Sequence, residues 1–266
     1  MEPIKKISEL TIKDIASICD HTYLNRPEAF RSIAEKGQNP ISLWKADFEK
    51  FLKETVEFEH KPYAVCVRPE CVGFTKNHLI NNNSSEIIIA SVVGFPQNMY
   101  NIYFMIAETN LAVKHGATEI DFVLDYQSLK GGQALDAHTS IEVMAALTQK
   151  LGVKSKIILE ISELEPEHIK EICQKAEKEG IDFVKTSSGY TGSGANAKDL
   201  RLMKENFSRG IKMSGGVNPN NVSEFLEAIS GRDDGCIDLD PMKIRIGESS
   251  LLRKLKGQKS SENSSY

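Results

Sequence analysis

The sequence has one tryptophan in 266 residues, an aromatic share of 7% and only five cysteines. These shortages each exclude something. Cys19, Cys66, Cys71, Cys173 and Cys236 are odd in number and scattered, so no disulfide framework is readable. Cys66 and Cys71 stand close together, but no second Cys/His pair completes a zinc site around them. Buried, reduced thiols are the expectation. Long hydrophobic runs are also missing. The longest, from Ile87 to Phe95, is interrupted by Ser91 and Gly94 and falls well short of a membrane span. Met1-Glu2-Pro3-Ile4-Lys5-Lys6 leads into alternating charged and apolar residues rather than the core of a signal peptide, so a cytoplasmic location is expected. There is no basic excess: 33 Lys and Arg stand against 37 Asp and Glu, a net charge of −4. A pI near 5.9 lacks the surplus that neutralises nucleic-acid phosphates. One small phosphate needs only a few local donors, so phosphorylated metabolites stay open as substrates.

What is present is ordinary globular material, 40% hydrophobic, outside the composition of disordered chains. Short apolar runs recur at Ile15–Cys19, Ala64–Val67, Ile87–Val93, Glu119–Leu124, Lys156–Ile161, Phe183–Thr186, Ile211–Met213 and Lys243–Ile246. Most are apolar throughout, the pattern of parallel strands covered on both faces. Helix-period segments lie between them. Ile169, Ile172, Cys173 and Ala176 fall at i, i+3, i+4 and i+7, with Pro166 near the start and Gly180 at the end. Val222, Phe225, Leu226 and Ile229 repeat the pattern, with Asn220 or Asn221 as N-cap and Gly231 as terminator. Tyr100 to His115 makes a third, stopped by Gly116. Eight strands alternating with helices predict an α/β fold, a (β/α)8 TIM barrel of the usual length of about 250 residues. An open doubly wound sheet is the alternative, and no Gly-x-Gly-x-x-Gly or Walker loop supports it. The expected organisation is one barrel domain over residues 1–256 and a flexible C-terminal tail over residues 257–266. That tail carries four serines up to Ser265 and ends in an aromatic, Tyr266.

Function in such folds gathers at the C-terminal ends of the strands. Strand one is expected to run into Asp20-His21-Thr22, strand four holds Asp121, and strand five closes on Glu160 and Glu163. Lys185 and Lys212 lie at the ends of the adjacent strands six and seven. Neighbouring strands are about 4.8 Å apart, so two inward lysines repel each other's protons and burial disfavours both charges. The result is a neutral amine able to form a Schiff base. Asp121, two strands away, is placed to shuttle protons. A structural pairing of either lysine with Glu160 or Asp121 is the competing reading. Ser214-Gly215-Gly216-Val217 and Gly247-Glu248-Ser249-Ser250 follow the last two strands, where barrels commonly hold phosphate on backbone N–H groups and hydroxyls.

These motifs together resemble the deoxyribose-phosphate aldolase family, class I aldolases built as (β/α)8 barrels. The resemblance runs collinearly through Asp20-His21-Thr22-Tyr23-Leu24, Val65-Cys66-Val67-Arg68-Pro69, Val92-Val93-Gly94-Phe95-Pro96 and Gly116-Ala117-Thr118-Glu119-Ile120-Asp121. It continues through Ile157-Ile158-Leu159-Glu160, Asp182-Phe183-Val184-Lys185-Thr186-Ser187-Ser188-Gly189, Lys212-Met213-Ser214-Gly215-Gly216-Val217 and Arg245-Ile246-Gly247-Glu248-Ser249-Ser250. It implies reversible cleavage of 2-deoxy-D-ribose 5-phosphate to D-glyceraldehyde 3-phosphate and acetaldehyde, with Lys185 as the Schiff-base lysine. Lys212 is implied as the lysine that lowers its pKa, Asp121 as the proton relay and Tyr266 as a tail residue reaching the active site. Thr22, Cys66, Gly189, Gly215, Gly216, Gly247, Ser249 and Ser250 are implied as substrate-binding residues, with no metal and no organic cofactor. The implied partners are the sugar phosphate and acetaldehyde, with neither nucleic acid nor membrane. Helix faces that build a homodimer or homotetramer look like ordinary amphipathic helices, so both assemblies stay open.

Three positions depart from the family pattern. Asn218 stands where arginine is common, Glu248 where alanine is usual, and Met213 where proline or a small residue is usual. A Glu248 carboxylate aimed at the implied phosphate loop would be repulsive, with Arg245 to offset it; the other arrangement open to it is to point away while its flanking groups bind. A related Schiff-base aldolase or transaldolase on another sugar phosphate, or a catalytically weak sugar-phosphate-binding homologue, are the alternatives.

Overall fold

In the computed structural model, which describes residues 4–35, 37–98 and 101–257, eight parallel strands close into a barrel. They are β1 (Cys19–Tyr23), β2 (Ala64–Val67), β3 (Ile88–Val93), β4 (Glu119–Val123), β5 (Lys154–Ile158), β6 (Phe183–Lys185), β7 (Gly210–Ser214) and β8 (Ile244–Glu248). Each pairs with its sequence neighbours, and β8 closes on β1 through Gly247 opposite Asp20 and Glu248 opposite His21. This is the (β/α)8 barrel. The C-terminal residues from Gln258 to Tyr266, and with them the expected tail, lie outside the described residues.

The helices form where the sequence periodicity places them. Pro166–Glu179, Val222–Ser230 and Ile102–His115 end on Gly180, Gly231 and Gly116, each left-handed at φ 80°, 66° and 116°. Asn221 precedes its helix but caps nothing; its side chain instead accepts from Asn218 N–H at 2.8 Å. Among the described residues, no helix is long and apolar enough to cross a membrane.

The first strand begins four residues later than expected. Ile12–Ala16 is a short helix because Thr11 and Asp14 form a reciprocal capping box: Asp14 N–H donates to Thr11 Oγ1 at 3.3 Å and Thr11 N–H to Asp14 Oδ2 at 3.0 Å. Asp20, His21 and Thr22 therefore sit inside β1 rather than beyond its end. Alternation along the pleat then sends Asp20 and Thr22 into the lumen and His21 outward. A short antiparallel pair, Lys5–Lys6 with Cys236–Ile237, was not expected from the sequence; it ties the N-terminus to the segment preceding β8. Ile7, Ile237 and Leu239 are buried beside it.

Candidate active site

The lumen is built from alternate residues of these strands. Its floor is aromatic and basic: β7 starts on Gly210, where any Cβ would lie 2.3 Å from the Phe183 ring. The Arg245 guanidinium lies 3.9 Å from the Tyr63 ring centroid and 5.6 Å from that of Phe183. Above it six side chains from five strands form a closed ring of ion pairs. Arg245 meets Asp20 at 2.5 Å, Asp20 meets Lys212 at 2.6 Å, and Lys212 meets Asp121 at 2.7 Å. Asp121 meets Lys156 at 2.8 Å, Lys156 meets Glu119 at 2.6 Å, and Glu119 returns to Arg245 at 2.6 Å. All six are buried.

Lys185 stands outside that ring. It is the register partner of Lys212, and Asp121 Oδ2 is its ion-pair partner among the described residues, at the longer distance of 3.3 Å. The ring sets three carboxylates against three cations, so Lys185 is a fourth cation with no carboxylate of its own. Charge balance in a buried cluster therefore favours Lys185 as the group that gives up its proton. Burial pushes its pKa below the ordinary lysine value and the Lys212 charge pushes the same way, against the opposing pull of Asp121. Burial also disfavours the charge on Lys212, but Asp121 and Asp20 outweigh it and hold its pKa well above the ordinary value. Burial would raise Asp121, yet Lys156, Lys212 and Lys185 hold it well below the usual carboxylate range. The two lysines are thus unlike: one poised toward the neutral amine, the other fixed as a cation.

Cys66 and Thr22 are register partners on β2 and β1 and both are buried. Burial first, then nearby Asp121, pushes the Cys66 thiol up to about 11, against the lowering pull of Lys212, so it presents a neutral group. Gly247 lets β8 pack closely on β7: a Cβ there would lie 2.9 Å from Ser214 Cβ and 3.1 Å from Lys212 Cε. At the rim, Gly189, Gly215 and Gly216 all have positive φ, at 82°, 81° and 76°. The β6 and β7 exit loops touch so closely that a Cβ on Gly194 would fall 1.9 Å from Gly215 O. Ser187 Oγ and Ser249 Oγ are buried without a hydrogen-bond partner among the described residues, and Ser250, next to Ser249 in sequence, is buried as well. Glu160, left-handed at φ 57°, accepts from Ser188 N–H at 3.1 Å and so ties down the β6 exit. Glu163 faces away and pairs with Lys130 at 2.5 Å.

Of the two orientations open to Glu248, the structure has the one that points away. Glu248 does not aim at the phosphate loop: it alternates to the outer face of β8 and bonds His21 and Leu251 N–H, both at 2.7 Å. Arg245 does not offset it, because its guanidinium is spent on Asp20 and Glu119 in the floor of the lumen. Met213 is buried on the outer face between Lys212 and Ser214. Asn218 turns onto its own loop, its amide donating to Gly216 O at 2.9 Å. Lys156 and Glu119 complete the ring although the strand-end pattern of the sequence does not single them out. Tyr266 lies outside the described residues.

Comparison with known proteins gives these residues a context. A deoxyribose-phosphate aldolase of Natranaerobius thermophilus is 36% identical over 251 residues, covering 94% of this chain and 99% of the relative. One from Thermococcus gammatolerans is 31% identical over 251 residues, covering 94% and 98%. The solved structure of a tetrameric deoxyribose phosphate aldolase from Aeropyrum pernix shares the fold, with a TM-score of 0.70 and 19% identity over 94% of each chain. Residues 15–233 match the DeoC/LacD aldolase family. That stretch takes in β1 to β7 and carries Lys185, Lys212 and Asp121 within it, so this chain belongs to the DeoC/LacD family of aldolases.

Proposed function

We propose that this chain reversibly cleaves 2-deoxy-D-ribose 5-phosphate to D-glyceraldehyde 3-phosphate and acetaldehyde, with Lys185 as the imine-forming amine. The observation that carries the assignment is the surplus lysine: a buried amine outside a charge-balanced ring, at 3.3 Å from a carboxylate that it shares. A neutral amine there attacks the open-chain aldehyde carbon, and loss of water leaves a protonated imine. A base takes the proton of the C3 hydroxyl, the C2–C3 bond breaks, and its electron pair moves into the imine to give an enamine. Glyceraldehyde 3-phosphate departs. The enamine carbon is then protonated, and water releases acetaldehyde and the free amine.

In this reading Asp121, 2.7 Å from Lys212, carries protons to and from the reacting atoms. Lys212 stays cationic and keeps the proton off Lys185. Thr22 and Cys66 line the wall, and Gly189, Gly215, Gly216, Gly247, Ser249 and Ser250 form the phosphate end. The hydroxyls of Ser187 and Ser249, unpartnered among the described residues, support an anion site there, since buried polar groups without partners are uncommon.

Reduction with borohydride in the presence of acetaldehyde tests the assignment. An acetaldehyde-derived adduct is expected on Lys185, and none in Lys185→Met. An adduct on another lysine, or none in the parent protein, refutes it.

A further inference from the structure

Behind the lumen wall lies a buried ionisable pair that this chemistry does not use. His21 and Glu248 are partners across β1 and β8, on the face turned toward the helices. His21 Nδ1 lies 2.7 Å from Glu248 Oε1, and Leu251 N–H donates to Glu248 Oε2 at 2.7 Å. The imidazole stacks on Phe51 at 4.5 Å between centroids and meets Phe58 edge-on at 5.2 Å. Phe51 lies in the helix Pro40–Glu57, and Phe58 caps its end. The same helix supplies Glu54, which holds Arg253 at 2.7 Å, and Arg253 in turn donates to Ser249 O at 2.6 Å.

Ser249 and Ser250 are therefore gripped on both sides. Glu248 holds the following amide, Arg253 holds the Ser249 carbonyl, and both grips lead back to one helix. A buried carboxylate is retained only where partners compensate its lost hydration, and here one oxygen accepts the Leu251 amide while the other meets the His21 ring. These ties fix the backbone that carries the Ser249 hydroxyl, which is buried without a hydrogen-bond partner among the described residues. Donors fixed in advance lose less freedom when a ligand arrives.

We propose that Glu248, anchored by His21, is a positioning residue that presets the Ser249–Ser250 segment and thereby sets the preference for a phosphorylated over an unphosphorylated sugar. The inference rests on the reading of that segment as part of the phosphate site. Glu248 does not touch substrate; it acts through the Leu251 amide.

The test compares kcat and KM for 2-deoxyribose 5-phosphate and for 2-deoxyribose in the full chain and its variants. Glu248→Ala is expected to raise KM for the phosphate ester about tenfold, as loss of one capping bond would. Its kcat, and its kcat/KM for the unphosphorylated sugar, are expected to stay within about twofold. Glu248→Gln keeps a carbonyl for Leu251 N–H and meets His21 Nδ1 with its amide, so most of the KM is expected to return. His21→Leu, which frees the carboxylate without removing it, is expected to give a smaller, equally substrate-selective rise of about threefold. If Glu248→Ala does not fold, the Gln and Leu variants carry the test. An equal loss on both sugars, or an unchanged ratio in folded variants, overturns the proposal. Ser249→Ala separates the two levels. If it leaves the phosphate preference intact, the reading of the phosphate site fails and takes the inference with it. If it abolishes the preference while Glu248→Ala does not, the positioning role alone fails.

Discussion

The two faces of the barrel wall are equally buried and obey opposite rules. On β4, Ile120 and Phe122 point into the shell of helices, while Glu119 and Asp121 point into the lumen, and none is more than 2% exposed. β7 repeats the division with Ile211 and Met213 against Lys212, and β8 with Ile244 and Ile246 against Arg245. The shell is held by apolar burial, which is non-directional and tolerates exchange of one hydrocarbon for another. The lumen is held by six charges in a ring, where each group depends on two neighbours. Barrel interiors are more often filled by branched apolar residues, and charges there carry a desolvation cost that hydrocarbons do not. What the ring supplies in return is asymmetry between two lysines, which no hydrocarbon packing could create.

Removing Lys212 is the strongest way to break that asymmetry. In Lys212→Met the repulsion that lowers the Lys185 pKa is gone, while Asp121 remains beside it and favours the charged amine. The Lys185 pKa rises, so the neutral fraction at pH 7 falls and the acid limb of the pH–rate profile moves to higher pH. A loss on the order of 10²–10⁴-fold at pH 7, the usual reach of acid–base assistance, is expected. Partial recovery in alkaline buffer distinguishes this cause from simple collapse of the site. A profile whose limb stays where it was would detach Lys212 from the poise of Lys185.

Much of the division between faces is already legible in the sequence, though only in part as a site. The runs around Lys185 and Lys212 stand out because an isolated lysine in a β-branched strand has few structural uses. Asp121 is visible for the same reason. Glu119 and Lys156 escape because each opens its apolar run in the sequence, where a charge reads as a solvated end, although Lys156 is the middle residue of β5. Reading charges at period two inside the strands (Glu119 with Asp121, Lys154 with Lys156) would have found them. Asp20 is visible but misplaced, because the Thr11–Asp14 capping box moves the first strand along the chain and turns a strand-end motif into strand interior. Glu248 shows the limit of motif reading: its neighbours in sequence face the rim, but the pleat sends it to the opposite side.

The floor of the lumen offers a second break in the comparison. Arg245→Met leaves Asp20 to Lys212 and Glu119 to Lys156, with one carboxylate too many for the cations nearby. Breaking a buried pair in this way is expected to cost about 3–5 kcal/mol of stability in urea unfolding. Adding Glu119→Gln removes the stranded charge and is expected to restore at least half of that loss. If the double variant is no more stable than the single one, the ring is not the closed charge balance that its distances describe.

A conservative cut in the shell completes the contrast. Ile120→Val removes one methylene from a fully buried outward side chain between β3 and β5. The expected cost is about 0.5–1.5 kcal/mol, read as a lower denaturation midpoint with an unchanged slope. Nothing in the ring of charges touches that side chain, so kcat, KM and the pH limb set by Lys185 are expected to stay as they are. The backbone of β4 links the two, since Asp121 is the next residue along. A shifted pH limb in Ile120→Val would mean that sub-ångström movement of β4 alters the distances from Asp121 to Lys185 and Lys212. The two faces would then be one interior after all.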